Sequence, residues 1–309
     1  MPAFTVLRGG MLSTVQDLGR WGLQHLGVPV AGPMDWYSHR LANRLVGNPD
    51  DAAAIEMTLI GPELVTDADV ICAAAGGAFE VTAGQQLVPL HAPFTLMRGQ
   101  RMRFRLCGAG ARATVAVRGG ISVPAVMGSR STSLISRVGP FGGRALAAGD
   151  VLPIGRPSMA SRPTGPPLPI NQGGARVRVL WGPHAARFTP EAVRAFHTSR
   201  YEVTPESNRM GYRLSGTALA FGASGSIDML SDATPIGSLQ VPPSGLPILL
   251  MADRQTTGGY PKIATVITAD LPLAGQLAPG DWIEFVPVTR AAAIDAIRRR
   301  DAALSTVPA

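Results

Sequence analysis

The chain has 309 residues, 46% of them hydrophobic and 16% charged; this supplies apolar mass for two ordinary cores and excludes wholesale disorder. The formal net charge is +7, but 27 of the 28 basic residues are arginine, so the charge reflects a bias toward arginine and no nucleic-acid partner is expected. Glycine (36) and proline (27) are abundant, which favours turns and β structure, and the only cysteines, Cys72 and Cys107, sit in small apolar surroundings that fit buried free thiols in a reducing cytoplasm.

The opening "MPAFTVLRGG" has neither a basic nor a long apolar segment of the kind a signal peptide needs, and no run approaches 18 apolar residues. A cytoplasmic protein with no membrane contact is expected. "FTVLR" reads as the first strand. In "MDWYSHRLANRLVGN", Asp35 is placed to cap a helix, Tyr37, Leu41 and Leu45 recur at helical spacing, and Gly47 ends it. "MRFRL" (102–106) alternates, with Met102, Phe104 and Leu106 on one face and Arg101, Arg103 and Arg105 on the other. "ATVAVRGG" is a further strand. Residues 156–175, rich in proline and glycine, read as a linker between a first domain (1–155) and a second (176–309).

Beyond the linker, "RVRVLWG" reads as a strand, and "FTPEAVRAFHTS" as a helix capped by Thr189 with Pro190 at its first position. "LPILLMAD" (246–253) has the continuous apolar character of a buried strand. "KIATVITAD" and "DWIEFVPV" follow as strands, then an Ala-rich terminal helix. Three strand entries, "RGQRMRF", "AAGDVLPI" and "APGDWIEF", share a Gly-polar-x-apolar form.

Several chemistries are absent. The sole lysine, Lys262, follows proline and precedes isoleucine, so there is neither a P-loop nor a biotinylated hairpin in this chain. There is no HExxH, no paired Cys-x-x-Cys and no G-x-S-x-G elbow, and no metal is expected.

The runs "TVQDLGR", "GSRSTS", "GPFGGRALAAGD", "ESNRMGYRL" and "ADRQTTGGYPKIATVITADLP", in that order, resemble the biotin-dependent carboxyltransferase family. The same family is known as allophanate hydrolase subunit 2, KipI antagonist and the C-type subunit of 5-oxoprolinase. The resemblance implies a mostly β protein of two tandem cyclophilin-like β-barrel domains with a few short helices. It implies work as the C-type subunit of an ATP-dependent 5-oxoprolinase, opening 5-oxoproline to glutamate with A-type and KipI-like B-type subunits. In that role ATP is used by the complex. Two alternatives stand beside it. One is carboxyl transfer to urea or a similar amide from carboxybiotin, with biotin on a separate carrier; the other is non-catalytic binding of a KipI-like kinase inhibitor. Allophanate hydrolysis itself needs an amidase Ser-Ser-Lys centre, which this chain lacks.

The candidate catalytic residues are Lys262, a compact cation suited to a carboxylate, and Asp253, a general base or a holder of Arg254. Asn208, Arg209, Gln255, Thr256, Thr257, Gly258, Gly259 and Tyr260 are the candidate substrate contacts for a small carboxylate or amide. Arginine grips carboxylates bidentately, and glycines let backbone N–H groups approach a ligand. The alternative for Lys262 is an exposed strand-start residue with no role. Gln16, Asp17 and Arg20 lie in the first-domain motif, and Arg130 lies on a serine-rich loop. Arg101, Arg103 and Arg105, three cations on one strand face, repel one another unless something acidic meets them, and an acidic partner is expected there.

Overall fold

The computed structural model describes residues 1–157, 164–222 and 229–305. Part of the expected linker, residues 158–163, lies outside the described residues. Contacts divide the chain into two units. One comprises Met1–Trp21, Ala31–Ile170 and the chain from Asp301; the other comprises Gly22–Val30 and Asn171–Arg300. No helix among the described residues is long and apolar enough to cross a membrane.

The first unit holds two antiparallel sheets. Six strands run in the order Val151–Pro153, Ala3–Arg8, Glu63–Thr66, Arg101–Leu106, Phe79–Ala83, Gln86–Val88. Five run in the order Leu12–Gln16, Ala54–Thr58, Arg112–Val117, Val70–Gly76, Pro93–Leu96. Alternating apolar positions from both sheets, among them Phe4, Leu64, Met102 and Phe104 from one and Val15, Ile55, Cys72 and Val115 from the other, build one core. Arg101, Arg103 and Arg105 point outward, as the alternation requires. Helix Trp36–Leu45 packs on the five-stranded sheet. Its expected cap is in place: the Asp35 carboxylate accepts from Ser38 N at 2.9 Å and Ser38 Oγ at 2.6 Å. Cys72 is buried, but Cys107 is exposed: it follows the last strand residue, and its backbone N and Sγ–H both donate to Ala78 O.

The second unit closes into a seven-stranded barrel. Its order is Gly174–Trp181, Lys262–Val266, Ser238–Gln240, Ile248–Leu250, Gly211–Ser215, Tyr201–Val203, Trp282–Pro287, the last pairing parallel with the first. Thr189 caps helix Pro190–Thr198, accepting from Ala192 N at 3.1 Å, and Phe196 of that helix stacks on Phe285 with ring centroids 4.8 Å apart. The apolar run 246–253 is a strand only to Leu250. A turn follows, with Arg254 N bonded to Met251 O, and its residues Met251, Ala252 and Asp253 stay buried. The expected strand 262–270 ends at Val266; Thr268–Asp270 forms a 3-10 turn that leads into a short helix, Leu271–Gly275.

The three similar strand entries have one geometry. Gly99, Gly149 and Gly280 have φ of 78°, 91° and 90°, and an added Cβ would meet nothing within 4 Å at any of them. Backbone conformation alone selects glycine there.

The "TVQDLGR" and "GSRSTS" motifs meet within the first unit. Asp17 Oδ1 accepts from Ser129 Oγ and Ser131 Oγ, both at 2.6 Å, and from Gly19 N at 2.9 Å; Oδ2 accepts from Arg130 N. Burial pushes the carboxyl's pKa up, but these four donors outweigh it and hold it below the ordinary 3.8. A depressed carboxyl stabilises the fold above its unfolded value and loses that contribution as pH falls through the folded one. Asp17→Asn is therefore expected to cost about 2 kcal/mol at pH 7. In denaturant titrations at stepped pH, the gap from wild type should narrow only below about pH 4.

Candidate functional site

The two second-unit motifs converge through a buried ion pair. Arg209 donates from Nε to Asp253 Oδ2 and from Nη2 to Asp253 Oδ1, each at 3.1 Å, and the side chains are 4% and 0% exposed. The backbone reinforces this, with Asp253 N donating to Arg209 O and Met251 N to Met210 O. Asp253 thus holds Arg209, while Arg254 makes its own contacts: Nε donates to Thr234 O at 2.7 Å and Nη1 to Met251 O at 3.5 Å. Arg254 is 7% exposed, and no carboxylate among the described residues lies within ion-pair distance of it. Burial pushes its guanidinium down to about 10.

Thr257–Gly258 pairs with Asp232–Ala233 as a two-stranded ribbon outside the barrel. Thr234 N donates to Thr256 O, and Thr234 Oγ1 to Gln255 O. Lys262 fastens this ribbon down. Its Nζ donates to Asp232 Oδ2 and Ala233 O, both at 2.6 Å, and its side chain is 4% exposed. The ion pair holds the Asp232 carboxyl below its usual range. Lysine fits here because a small, three-donor ammonium can serve two close acceptors where a planar guanidinium needs more room. His184 Nδ1 accepts from Lys262 N at 3.1 Å; burial, then the Lys262 charge, lowers the imidazole's pKa.

Beside the ribbon lies a cavity of about 220 Å³. Asn208, Gln255 and Tyr260 of the expected contacts line it; Arg209, Asp253 and Lys262 hold the elements around it from buried positions. Gln240, Arg213 and Glu206 also line it, with Met210, Ile248 and Leu250 supplying apolar surface. Gln255 Nε2 donates to Gln240 Oε1 at 3.2 Å. A Cβ on Gly258 would stand 2.7 Å from Gln240 Nε2 and 3.1 Å from Gln255 Nε2, so a larger residue there would push the two amide ends aside. Gly259 meets no such crowding. Gln240 sits in "GSLQVPP", which carries no motif signal; only its pairing with the Lys262 strand brings it to the site.

The acids that meet Arg101, Arg103 and Arg105 include the chain's own. Glu63 Oε1 accepts from Arg101 at 3.2 Å and Arg103 at 2.9 Å, and Glu80 pairs with Arg105. These are cross-strand neighbours in the six-stranded sheet. The hydrogen bond from Arg103 is the main cause of Glu63's depressed pKa. A larger cavity of about 530 Å³ in the first unit is lined by Met1, Val70, Arg118 and Ile154 among others, outside every motif. Among the described residues no cluster suits a metal ion.

Removing one partner of the Arg209–Asp253 pair strands a buried charge. Arg209→Met and Asp253→Leu should each cost about 3–5 kcal/mol, and the double variant less than their sum, in a denaturant double-mutant cycle. Lys262→Met should raise hydrogen exchange at 232–234 and 256–258 while barrel strands such as Ile248–Leu250 stay protected.

The chain matches the family model described as carboxyltransferase domain, subdomain A and B, over residues 26–287. It is 39% identical to the C-type subunit of 5-oxoprolinase from Escherichia coli, over 91% of this chain and 90% of that protein. It is 36% identical to urea amidolyase of Lachancea kluyveri, over 99% of this chain but only 18% of that much longer protein. The crystal structure of the K. lactis urea amidolyase superimposes with a TM-score of 0.91 at 32% identity, covering 98% of this chain and 20% of that one. With a fold, a motif order and a family model that agree over most of its length, the chain belongs to the carboxyltransferase domain family that also includes the C-type subunit of 5-oxoprolinase.

Proposed function

We propose that the chain is the C-type subunit of an ATP-dependent 5-oxoprolinase, opening 5-oxoproline to glutamate together with A-type and KipI-like B-type subunits. The observation that carries this reading is the similarity to the Escherichia coli protein of that type over nearly the full length of both chains. The cavity beside the ribbon is chemically suited to the substrate. A five-membered lactam acid has an apolar ring, an amide with one donor and one acceptor, and a carboxylate. Met210, Ile248, Leu250 and Tyr260 would pack on the ring, the amides of Gln240 and Gln255 would pair with the lactam, and Arg213, which shares the cavity with Glu206, would take the carboxylate.

ATP, bound elsewhere in the complex, supplies activation of the lactam carbonyl. The contribution of this chain is binding and electrostatics. Side-chain amide N–H groups meet the negative charge that builds on the lactam oxygen, and the buried Arg254 cation, next to Gln255 in the chain, adds positive potential. Lys262, Asp253 and Arg209 act as positioning residues that hold the ribbon and the cavity wall.

Carboxyl transfer to an amide is the second reading, favoured by the carboxyltransferase family model and the urea amidolyase similarity. It requires biotin on another chain, because the only lysine here is buried and ion-paired. Purified complex from co-expression with the genes for the other two subunits decides between them. It should form glutamate from 5-oxoproline only with ATP, and Gln240→Ala should lower kcat/KM about tenfold, the worth of one hydrogen bond to a reacting amide. Biotin in the complex with urea-dependent carboxyl transfer and no glutamate would instead establish the second reading. Tight binding to the KipI-like partner without either turnover would establish a regulatory role.

A further inference from the structure

The first unit contains a second, smaller cleft of about 200 Å³ that the reading above does not use. Its wall and floor come from Asn48, the turn Gly119–Gly120, Ser122, Arg130 and Arg156. The turn is fixed as glycine: Gly119 has φ 99°, and a Cβ there would stand 2.2 Å from Gly155 O. The Asn48 amide is spent on structure, accepting from Gly119 N at 2.8 Å and donating to Val117 O at 2.8 Å and Asn43 Oδ1 at 3.0 Å.

The cations are not spent. Arg130 is pinned at two points, its backbone N to Asp17 Oδ2 and its Nε to Val123 O at 2.7 Å. That leaves both Nη nitrogens without a partner among the described residues. Arg156 likewise has no ion pair there, and no aspartate or glutamate lines the cleft. Two guanidinium groups therefore share a small concavity with a serine and no compensating acid. One of them is held in place by the Asp17 network, so little of its freedom remains to be lost on binding. Elsewhere in this protein, closely placed arginines meet carboxylates: Arg101 and Arg103 share Glu63, and Arg40 and Arg44 share Asp50.

We propose that this cleft is a binding site for a compact oxyanion, a phosphate or carboxylate group, gripped by Arg130 and Arg156. It is independent of the 5-oxoproline reading, since it lies wholly within the other unit and uses none of those residues. Titration calorimetry of the full chain with inorganic phosphate, and separately with acetate, at low ionic strength tests it. Saturable binding of one ion per chain is expected. It should weaken at least tenfold in Arg130→Gln and in Arg156→Gln and stay unchanged in the control Arg98→Gln; the tighter-binding ion assigns the group. Arg156 is exposed, so its substitution leaves the fold intact and keeps the test valid if Arg130→Gln unfolds. No saturable binding of either ion, or equal loss in the Arg98 control, would overturn the proposal.

Discussion

A guanidinium and a carboxylate buried together have to satisfy each other, and the second unit is arranged around that constraint. Arg209 and Asp253, distant in sequence, reach nearly complete burial with two parallel hydrogen bonds. Their pairing fixes where the strand Ile248–Leu250 ends and which way Arg254 and Gln255 leave it. Gln255 can then reach Gln240, and the ribbon of Thr257–Gly258 with Asp232–Ala233 can lie beside the cavity. Lys262 secures the far strand of that ribbon. Much of the polar chemistry in the two motifs goes into holding the walls, which leaves the amides of Gln240 and Gln255 as the cavity's adaptable groups.

The first unit solves a similar problem with neutral donors. Asp17 collects serine hydroxyls and backbone N–H groups, and so locks the serine-rich loop against the segment that follows Leu12–Gln16. On the outer face of the six-stranded sheet, repulsion among arginines is relieved by Glu63 and Glu80 from adjoining strands. That face still carries more arginines than acids.

The chain is similar both to a C-type subunit of 5-oxoprolinase and to a segment of the much longer urea amidolyase, so one scaffold recurs in two differently named enzymes. The second-unit cavity presents carboxamides, the charged side chains Arg213 and Glu206, and apolar surface. The chain has no P-loop sequence, and its single lysine is buried and ion-paired.

The sequence by itself determined the local features. Alternation placed Met102 and Phe104 inside and the arginines outside; Asp35 and Thr189 were legible as caps; and turn glycines marked strand entries. Each follows from the backbone and its near neighbours. The motifs contribute Asn208, Gln255 and Tyr260 to the lining of one cavity. Only tertiary structure decided which polar side chain lines the cavity and which is taken up by an internal ion pair. Lys262 faces neither solvent nor the cavity, because the strand pairing of the ribbon brings Asp232 and Ala233 within reach of its ammonium. Gln240, which no motif flags, enters the site because strand Ser238–Gln240 pairs with Lys262–Val266. Buried charge is assigned by distance across the fold, and distance across the fold is not written in local sequence.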